Sequence, residues 1–335
     1  MSIEATLGRI ASGEDLAADE MAAVIDAIMR GQWPDAQIAL LLTALRAKGE
    51  SCGEVAGAAM ALRRHMTPIA TRRSGLVDTC GTGGDGSQTF NISTAAAIVA
   101  AAVGVPVAKH GNRAATSRSG SADVLAALGV DVNAPLEAVE RSLDESGLCF
   151  CFAPLFHGAM KRVSTVRKQL GFPTIFNLLG PLANPARAPY QLIGVGRPEL
   201  RPLLADALVL LGGERAIVVH GRDGLDEVTL AAATDVSEVR GGKVREFVWT
   251  PEDFGLQRQN LESLRIDGPE ASAAIIRDVL AGRPGPARDI VTLNAAAALW
   301  VADFSSQPAA CAAAAKAAID SGAAARLLAT LGAGL

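Results

Sequence analysis

An excess of basic residues is missing from this sequence. Its 31 lysines and arginines stand against 35 acids, a formal charge of −4. No general basic field therefore draws the chain to nucleic acid. A disulfide framework is missing too. The five cysteines, Cys52, Cys80, Cys149, Cys151 and Cys311, include no Cys-x-x-Cys spacing. Reduced thiols in a cytoplasmic protein are the expectation. Residues 1–20 contain acids and no basic segment leading into an apolar one, which argues against a signal peptide. The alanine-rich run at 94–108 is too short and too weakly hydrophobic to span a membrane. Aromatics are scarce, at 4%, and Tyr190 is the single tyrosine.

What is present is apolar bulk, much of it alanine. Hydrophobic residues make up 50% of 335 positions, enough for two domains or one large one. Residues 1–70 read as helical. Met21, Val24, Ile25, Ile28 and Met29 form a helical stripe, with Asp15 or a neighbour as its cap. Trp33-Pro34 breaks the pattern. A second helix runs from Asp35 to near Gly49, and a third from Ser51 or Cys52 to about Met66. From Gly75 onward, strands and helices alternate. Tyr190–Val195 and Ala216–His220 read as strands, Leu200–Leu211 as a helix. Residues 228–265 read as strands and loops, and the alanine-rich tail as helices covering the sheet. Cys149-Phe150-Cys151-Phe152 reads as a strand with its two cysteines on opposite faces, which speaks against a shared metal.

The stretch from Val77 to Gly129 carries the chemistry. Leu76-Val77-Asp78 reads as a strand end, residues 93–103 as a buried helix and Val105–Ala108 as a second strand, together a βαβ unit. Between the first strand and the helix lies Cys80-Gly81-Thr82-Gly83-Gly84-Asp85-Gly86. Glycines at a βα turn allow positive φ and close approach to a phosphate, and the helix N-terminus favours an anion. No Gly-Lys-Ser or Gly-Lys-Thr follows, so this is not a Walker loop. Nor is it read as having the spacing of a dinucleotide fingerprint. Lys109 and Arg113 add cationic groups at the end of the next strand. Two phosphate-binding loops at neighbouring strand ends suggest a substrate with more than one phosphate.

Three later positions are open on chemistry alone. His157 is a loop histidine or a pocket residue. Arg167 is a snorkelling surface residue or a carboxylate clamp, since a planar guanidinium pairs well with a carboxylate. Asp226-Glu227 is a solvated acidic turn or a Mg²⁺ site, since magnesium prefers a few carboxylates plus phosphate oxygens.

Gly81-Thr82-Gly83-Gly84-Asp85, Asn91-Ile92-Ser93-Thr94 and Lys109-His110-Gly111-Asn112-Arg113 resemble the signature blocks of the anthranilate phosphoribosyltransferase family. That family shares the fold class of the pyrimidine nucleoside phosphorylases. Asn177–Pro185 is a further matching block, so the resemblance covers nearly the whole chain. The family usually has proline where this chain has Gly158.

The resemblance implies an α/β fold: a small all-helical domain plus a larger α/β domain with a mostly parallel central sheet flanked by helices. The helical domain would be residues 1–70, joined by a return segment at about 163–188. The larger domain would be 71–162 and 189–335. The implied reaction is Mg-dependent transfer of the 5-phosphoribosyl group from phosphoribosyl pyrophosphate to the amine of anthranilate, in tryptophan biosynthesis. Phosphoribosyl pyrophosphate would be bound by Gly81, Gly83, Gly84, Asp85, Thr89, Asn91, Ser93, Thr94, Lys109 and Ser121. Anthranilate would meet Gly81, His110, Asn112, His157 and Arg167. Ser93, Asp226 and Glu227 would hold metal, with two Mg²⁺ per subunit. No catalytic base is assigned, and His110 is given a positioning role at most. A homodimer through the helical domain is implied, with no nucleic acid or membrane partner. The alternatives are a pyrimidine nucleoside phosphorylase, which needs one phosphate and a pyrimidine pocket, and a non-catalytic nucleic-acid-binding relative. The intact glycine, Lys109 and acidic blocks argue against both.

Overall fold

The structure, a computed structural model, describes residues 2–114 and 117–333. Thr116, part of the serine-rich stretch after Arg113, lies outside the described residues. Four helices open the chain: α1 (Ile3–Ala11), α2 (Ala18–Met29), α3 (Asp35–Lys48) and α4 (Cys52–His65). The apolar stripe of α2 is buried as its periodicity predicts. Asp15 does not cap it. The Ala17 N–H is taken by Glu20 at 2.9 Å, and Asp15 pairs with Lys48 instead. Ser51 caps α4 through the Glu54 N–H, while Glu54 accepts the Ser51 N–H. Helices α2 and α4 approach so closely that a Cβ on Gly57 would lie 2.1 Å from the Ala18 carbonyl oxygen.

The body alternates strands and helices. In chain order these are β1 (Val77–Asp78), α5 (Ile92–Val103), β2 (Val107–Gly111), α6 (Ser121–Ala127), α7 (Leu136–Ser146) and β3 (Leu148–Phe152). There follow α8 (Ala153–Phe156), α9 (Lys161–Leu170), β4 (Tyr190–Gly194), α10 (Leu200–Leu211) and β5 (Arg215–Gly221). The chain ends with β6 (Thr234–Arg240), β7 (Lys243–Trp249), α11 (Pro269–Leu280), α12 (Pro286–Val301), α13 (Pro308–Asp320) and α14 (Ala323–Gly332).

The strands form one seven-stranded sheet in the order β3-β2-β1-β4-β5-β6-β7. It is parallel from β3 to β5 and antiparallel from β5 to β7. Gly241 and Gly242, both at positive φ, make the tight turn of the β6–β7 hairpin. Strand order reverses between β1 and β4, and in open parallel sheets ligands bind beyond the carboxyl ends at such a point.

Helices α5, α11, α12, α13 and α14 pack on one face of the sheet. The other face shares a continuous core with the opening helices. Ile25, Leu42, Val55 and Val166 of α2, α3, α4 and α9 belong to the same buried cluster as Ile193 of β4, Leu204 of α10 and Val218 of β5.

Two local expectations are corrected. The second strand begins at Val107, not Val105, and extends through Lys109 and His110 to pair with Phe150 and Cys151 of β3. Pro106 cannot donate to a ladder, so the strand starts after it. Cys149 and Cys151 also share a face of β3, their sulfurs 3.8 Å apart. Side chains alternate with a period of two along a strand, so residues i and i+2 point the same way.

A candidate active site at the carboxyl edge of the sheet

The carboxyl ends of β1, β2, β3, β4 and β5 all open onto one cleft of about 810 Å³. From β1 the chain enters residues 79–91 before α5 begins. Gly83, Gly84 and Gly86 have φ of 66°, 81° and 72°, conformations that side chains rarely adopt, with no atom within 4 Å of an added Cβ. The loop thus offers open backbone to the cleft. Gly81, Gly83 and Gly86 do fall at G-x-G-x-x-G spacing. The context excludes a dinucleotide turn, because the helix starts only at Ile92, not directly from the glycines.

The loop is tied to β4, where the Thr82 N–H donates to the Gly194 carbonyl at 2.9 Å. Contacts there leave no room for a side chain at Gly194 and little at Gly81. A Cβ on Gly194 would lie 1.6 Å from the Asp226 carbonyl oxygen, and one on Gly81 would lie 3.0 Å from the Gly194 oxygen. Gly196 faces Asp85 in the same way, at 2.8 Å from its Cα. Three strand ends are therefore locked together by glycine contacts.

Asp226 and Glu227, beyond β5, meet the start of α5. Glu227 Oε1 accepts the Ser93 N–H at 3.1 Å, a carboxylate at a helix N-terminus. Lys109 is buried, and its Nζ donates to the Thr79 carbonyl at 2.6 Å and to Ser93 Oγ at 3.3 Å. Asp85 accepts the Asp226 N–H at 3.5 Å. Burial, and then the neighbouring Asp85 and Glu227, push the Asp226 carboxyl well above the usual carboxylate range. Burial likewise pushes Glu227 up to about 7, with Lys109 opposing and Asp85 adding. Carboxyls held together with one buried ammonium are an arrangement that a divalent cation relieves. Asp226, Glu227 and the Ser93 hydroxyl suit Mg²⁺, which uses one or two carboxylates and leaves room for waters and phosphates.

Asn91 and Ser121 close the phosphate side. Asn91 exchanges hydrogen bonds with Ser272 and donates to the Ser119 carbonyl at 3.0 Å. Ser121 Oγ donates to the Asn112 carbonyl, and Thr89 Oγ1 lies 3.2 Å from Ser87 Oγ. Arg113, read from sequence as a cation for phosphate, donates to Asp123 at 2.9 Å instead.

At the other end stand His110, Asn112, His157 and Arg167. His110 Nδ1 lies 2.9 Å from the Gly180 carbonyl, and its Nε2 is 3.2 Å from His157 Nε2. A carbonyl only accepts, so the His110 proton sits on Nδ1, and His157 donates from Nε2. Burial pushes His110 down to about 4. Burial, with His110 adding, pushes His157 down to about 3. Both rings are neutral near pH 7. Arg167 is half-buried, donates to Asn177 Oδ1 at 3.4 Å and stands 5.7 Å from the Phe176 ring centre. No carboxylate pairs with it among the described residues.

Every site residue read from the sequence lines this cleft except Thr94, which turns to a second cavity. Several lining residues escaped the sequence reading. Arg197 follows β4, so it is a cation beyond a strand's carboxyl end, a signal that was available. Arg46 and Glu50 come from the end of α3, and only tertiary packing brings them there. Beneath the cleft, Asp78 accepts the His110 N–H at 3.0 Å and Asn184 Nδ2 at 2.8 Å. Asp78, Cys80 and His110 hold possible metal-ligand atoms within 4.8 Å of one another. Asp78 and both His110 nitrogens are already engaged, so this group is a hydrogen-bonded support.

Residues 73–325 match the family described as glycosyl transferase family, a/b domain, and residues 5–66 its helical bundle domain. The anthranilate phosphoribosyltransferase of Moorella thermoacetica is 51% identical over 97% of this chain and 96% of its own length. That of Thermomicrobium roseum is 52% identical over 96% of this chain and 94% of its own. The chain belongs to the anthranilate phosphoribosyltransferase family. Within that family, the crystal structure of the Thermus thermophilus enzyme matches with a TM-score of 0.92 at 45% identity, covering 98% of each chain. The Saccharomyces cerevisiae enzyme, solved with phosphoribosyl pyrophosphate and Mg, matches with a TM-score of 0.90 at 30% identity, covering 99% of this chain and 98% of its own. The small helical part, the larger α/β body and the mostly parallel sheet agree with the expected fold class. Among the described residues, no helix is long and apolar enough to cross a membrane.

Proposed function

We propose that this protein transfers the 5-phosphoribosyl group of phosphoribosyl pyrophosphate to the amine of anthranilate, releasing pyrophosphate, as a step of tryptophan biosynthesis. One observation carries the reading: a single cleft holds an open glycine backbone and an acidic pair at one end, and at the other an arginine that no carboxylate pairs with among the described residues. The names of the relatives support it over a nucleoside phosphorylase.

In this reading Gly81, Gly83, Gly84, Asp85, Thr89, Asn91, Ser93 and Ser121 line the phosphoribosyl pyrophosphate end. Backbone N–H groups of the glycine loop donate to phosphate, and Lys109 supplies charge from below. Fixed donors stabilise the departing pyrophosphate without reorganising. Ser93, Asp226 and Glu227 hold Mg²⁺, with two ions per subunit. Bound there, the metal neutralises charge developing on the leaving group. Arg167 pairs with the anthranilate carboxylate, and Phe176 under its guanidinium fixes the plane of that pairing. His110 and His157 are neutral, so they position the ring by hydrogen bonds rather than by charge. Asn112 and Gly81 complete the acceptor wall. An aromatic amine is largely unprotonated at neutral pH, so no residue is assigned as general base, and orientation supplies much of the rate.

The same reading carries the division into a helical domain (1–70 with 163–188) and an α/β domain (71–162 and 189–335), a homodimer through the helical domain, and a cytoplasmic location. Leu40 of α3, 59% exposed, is a large apolar side chain that such a dimer contact would cover. Sedimentation of the purified chain tests the dimer. Mass detection of the ribosyl adduct tests the reaction. Anthranilate with phosphoribosyl pyrophosphate and Mg²⁺ should yield it, while a pyrimidine nucleoside with phosphate should yield no free base. Conversion of the nucleoside alone would favour the phosphorylase.

A further inference from the structure

Strand β1 parts from β2 early. The two share one register pair, Val77 with Val107, yet β2 runs on to Gly111. Beyond that pair the chain of β1 becomes the glycine loop, which opens the cleft and takes away the strand that β2 would have beside it. Buried backbone groups of β2 must then find partners elsewhere. Two side chains supply them. Asp78 Oδ1 accepts the His110 N–H at 3.0 Å, and Asn184 Nδ2 donates to the Ala108 carbonyl at 2.8 Å. Asn184 Nδ2 also donates to Asp78 Oδ2 at 2.8 Å, and Asn184 Oδ1 accepts the Ala186 N–H at 2.9 Å. Both side chains are buried, and the amide of Asn184 has its two protons and its oxygen engaged. Burial pushes the Asp78 carboxyl up to about 6, with Asn184, then Lys109 and the His110 N–H, opposing.

These contacts close a circle around one residue. Asp78 holds the backbone of His110, and the Gly180 carbonyl holds its ring at Nδ1. Gly180 and Asn184 belong to the same short segment between α9 and β4, and Asn184 ties that segment to Asp78. Backbone and ring of His110 are thus fixed from one buried pair, with the ring's Nε2 set 3.2 Å from His157 Nε2 in the cleft. Neither Asp78 nor Asn184 is among the residues lining the cleft. We propose that Asp78 and Asn184 are positioning residues for the acceptor end of the cleft, acting through His110. This role rests on the placing of His110 at the acceptor end.

The chain has four histidines, few enough for their ring nitrogens to be followed singly by ¹⁵N NMR. In the wild type, His110 should show a protonated Nδ1 and a bare Nε2. Asn184→Ala unties the Gly180 segment and should turn that ring to mixed tautomers. Asp78→Asn should do the same, because an amide accepts at one end only and leaves the His110 N–H or the Asn184 amide facing a donor. His220 on β5, whose Nδ1 lies 2.8 Å from the Val195 carbonyl, is the internal control and should not move. Thermal melts check that each variant is folded, and Asn184→Ser is the milder substitute. A His110 ring unchanged in the folded variants, or a His220 ring disturbed equally, would overturn the role.

Kinetics give the second arm. Asn184→Ala should raise the KM for anthranilate about fivefold or more, the worth of one hydrogen bond, and leave that for phosphoribosyl pyrophosphate within about twofold. In a His110→Gln background the same substitution should change the KM for anthranilate by less than about twofold, since its effect runs through the ring. An equal cost with and without His110, or an equal rise in both constants, would overturn the role. Wild-type protein that leaves anthranilate unchanged would instead remove the assigned reaction, and the ring spectra would still decide whether the pair holds His110.

Discussion

The position of Asp226 depends on glycine at 194, and a graded series of alanine substitutions measures how much. In Gly194→Ala the new Cβ would lie 1.6 Å from the Asp226 carbonyl oxygen and 2.6 Å from its carbonyl carbon. Ordinary contact needs about 3.4 Å or more, so strand and loop must part by roughly 2 Å. That moves the acidic pair relative to α5. A misplacement of about 1 Å can cost about 10²-fold, so kcat/KM should fall by at least that much. In Gly81→Ala the nearest atoms are 3.0 Å (the Gly194 oxygen) and 3.5 Å (Asp226 Oδ2) away, which a shift of a few tenths of an ångström relieves. Its loss should be roughly threefold to tenfold. Gly158→Ala is the control. No atom lies within 4 Å of its Cβ and its φ is not positive. It should keep activity and gain about 0.4–1 kcal/mol of stability by restricting the unfolded chain. Steady-state kinetics with a Mg²⁺ titration, beside a denaturant melt for each variant, give the order. A folded Gly194→Ala protein within threefold of wild type and with an unchanged metal requirement would refute the reasoning.

Arg167→Ala should raise the KM for anthranilate by about tenfold to a hundredfold with a smaller change in kcat, since it removes a charge-assisted pair of hydrogen bonds; an unchanged KM would refute its role. Glu227→Gln keeps the shape but removes a charge, so activity should require more Mg²⁺, read as a rightward shift of the metal titration. His110 and His157, depressed to about 4 and about 3 by burial, favour the neutral form in the folded state. Each contributes stability that is complete above pH 6.5 and is lost as pH falls toward the folded value, about 2 kcal/mol each between pH 7 and 5. Asp78 and Glu227, raised by burial to about 6 and about 7, act in the opposite sense. The histidine part is therefore read as a difference: denaturant melts of His157→Gln should lose less stability on going from pH 7 to 5 than wild type does.

Periodicity revealed the opening helices: the stripe of α2 is buried, and α3 buries Ile38, Leu41, Leu42 and Leu45 of its apolar run but leaves Leu40 exposed. The glycine loop, the Lys109 block and the acidic pair were legible because each lies at or just beyond the carboxyl end of a strand, and parallel topology gathers strand ends at one edge. The geometry within that edge was not legible. Lys109 looked like a loop cation but is a buried strand residue whose amine bridges Thr79 and Ser93. Arg113 looked free and is paired with Asp123, ten positions along. The Asp78–Asn184 hydrogen bond under His110 joins residues 106 positions apart, a link no local pattern records. The period of two along β3 puts Cys149 and Cys151 on one face, which the sequence itself dictates once the strand is recognised. The continuous core shared by the opening helices and β4–β5 arises from packing, and only the folded chain displays it.

The measurement that bears most directly on the proposed reaction follows anthranilate fluorescence and pyrophosphate release together, with protein, Mg²⁺ and phosphoribosyl pyrophosphate present. The reading predicts fluorescence loss that needs all four components and one pyrophosphate released per anthranilate consumed. Folded protein that leaves anthranilate unchanged, or releases pyrophosphate without consuming it, would contradict that assignment.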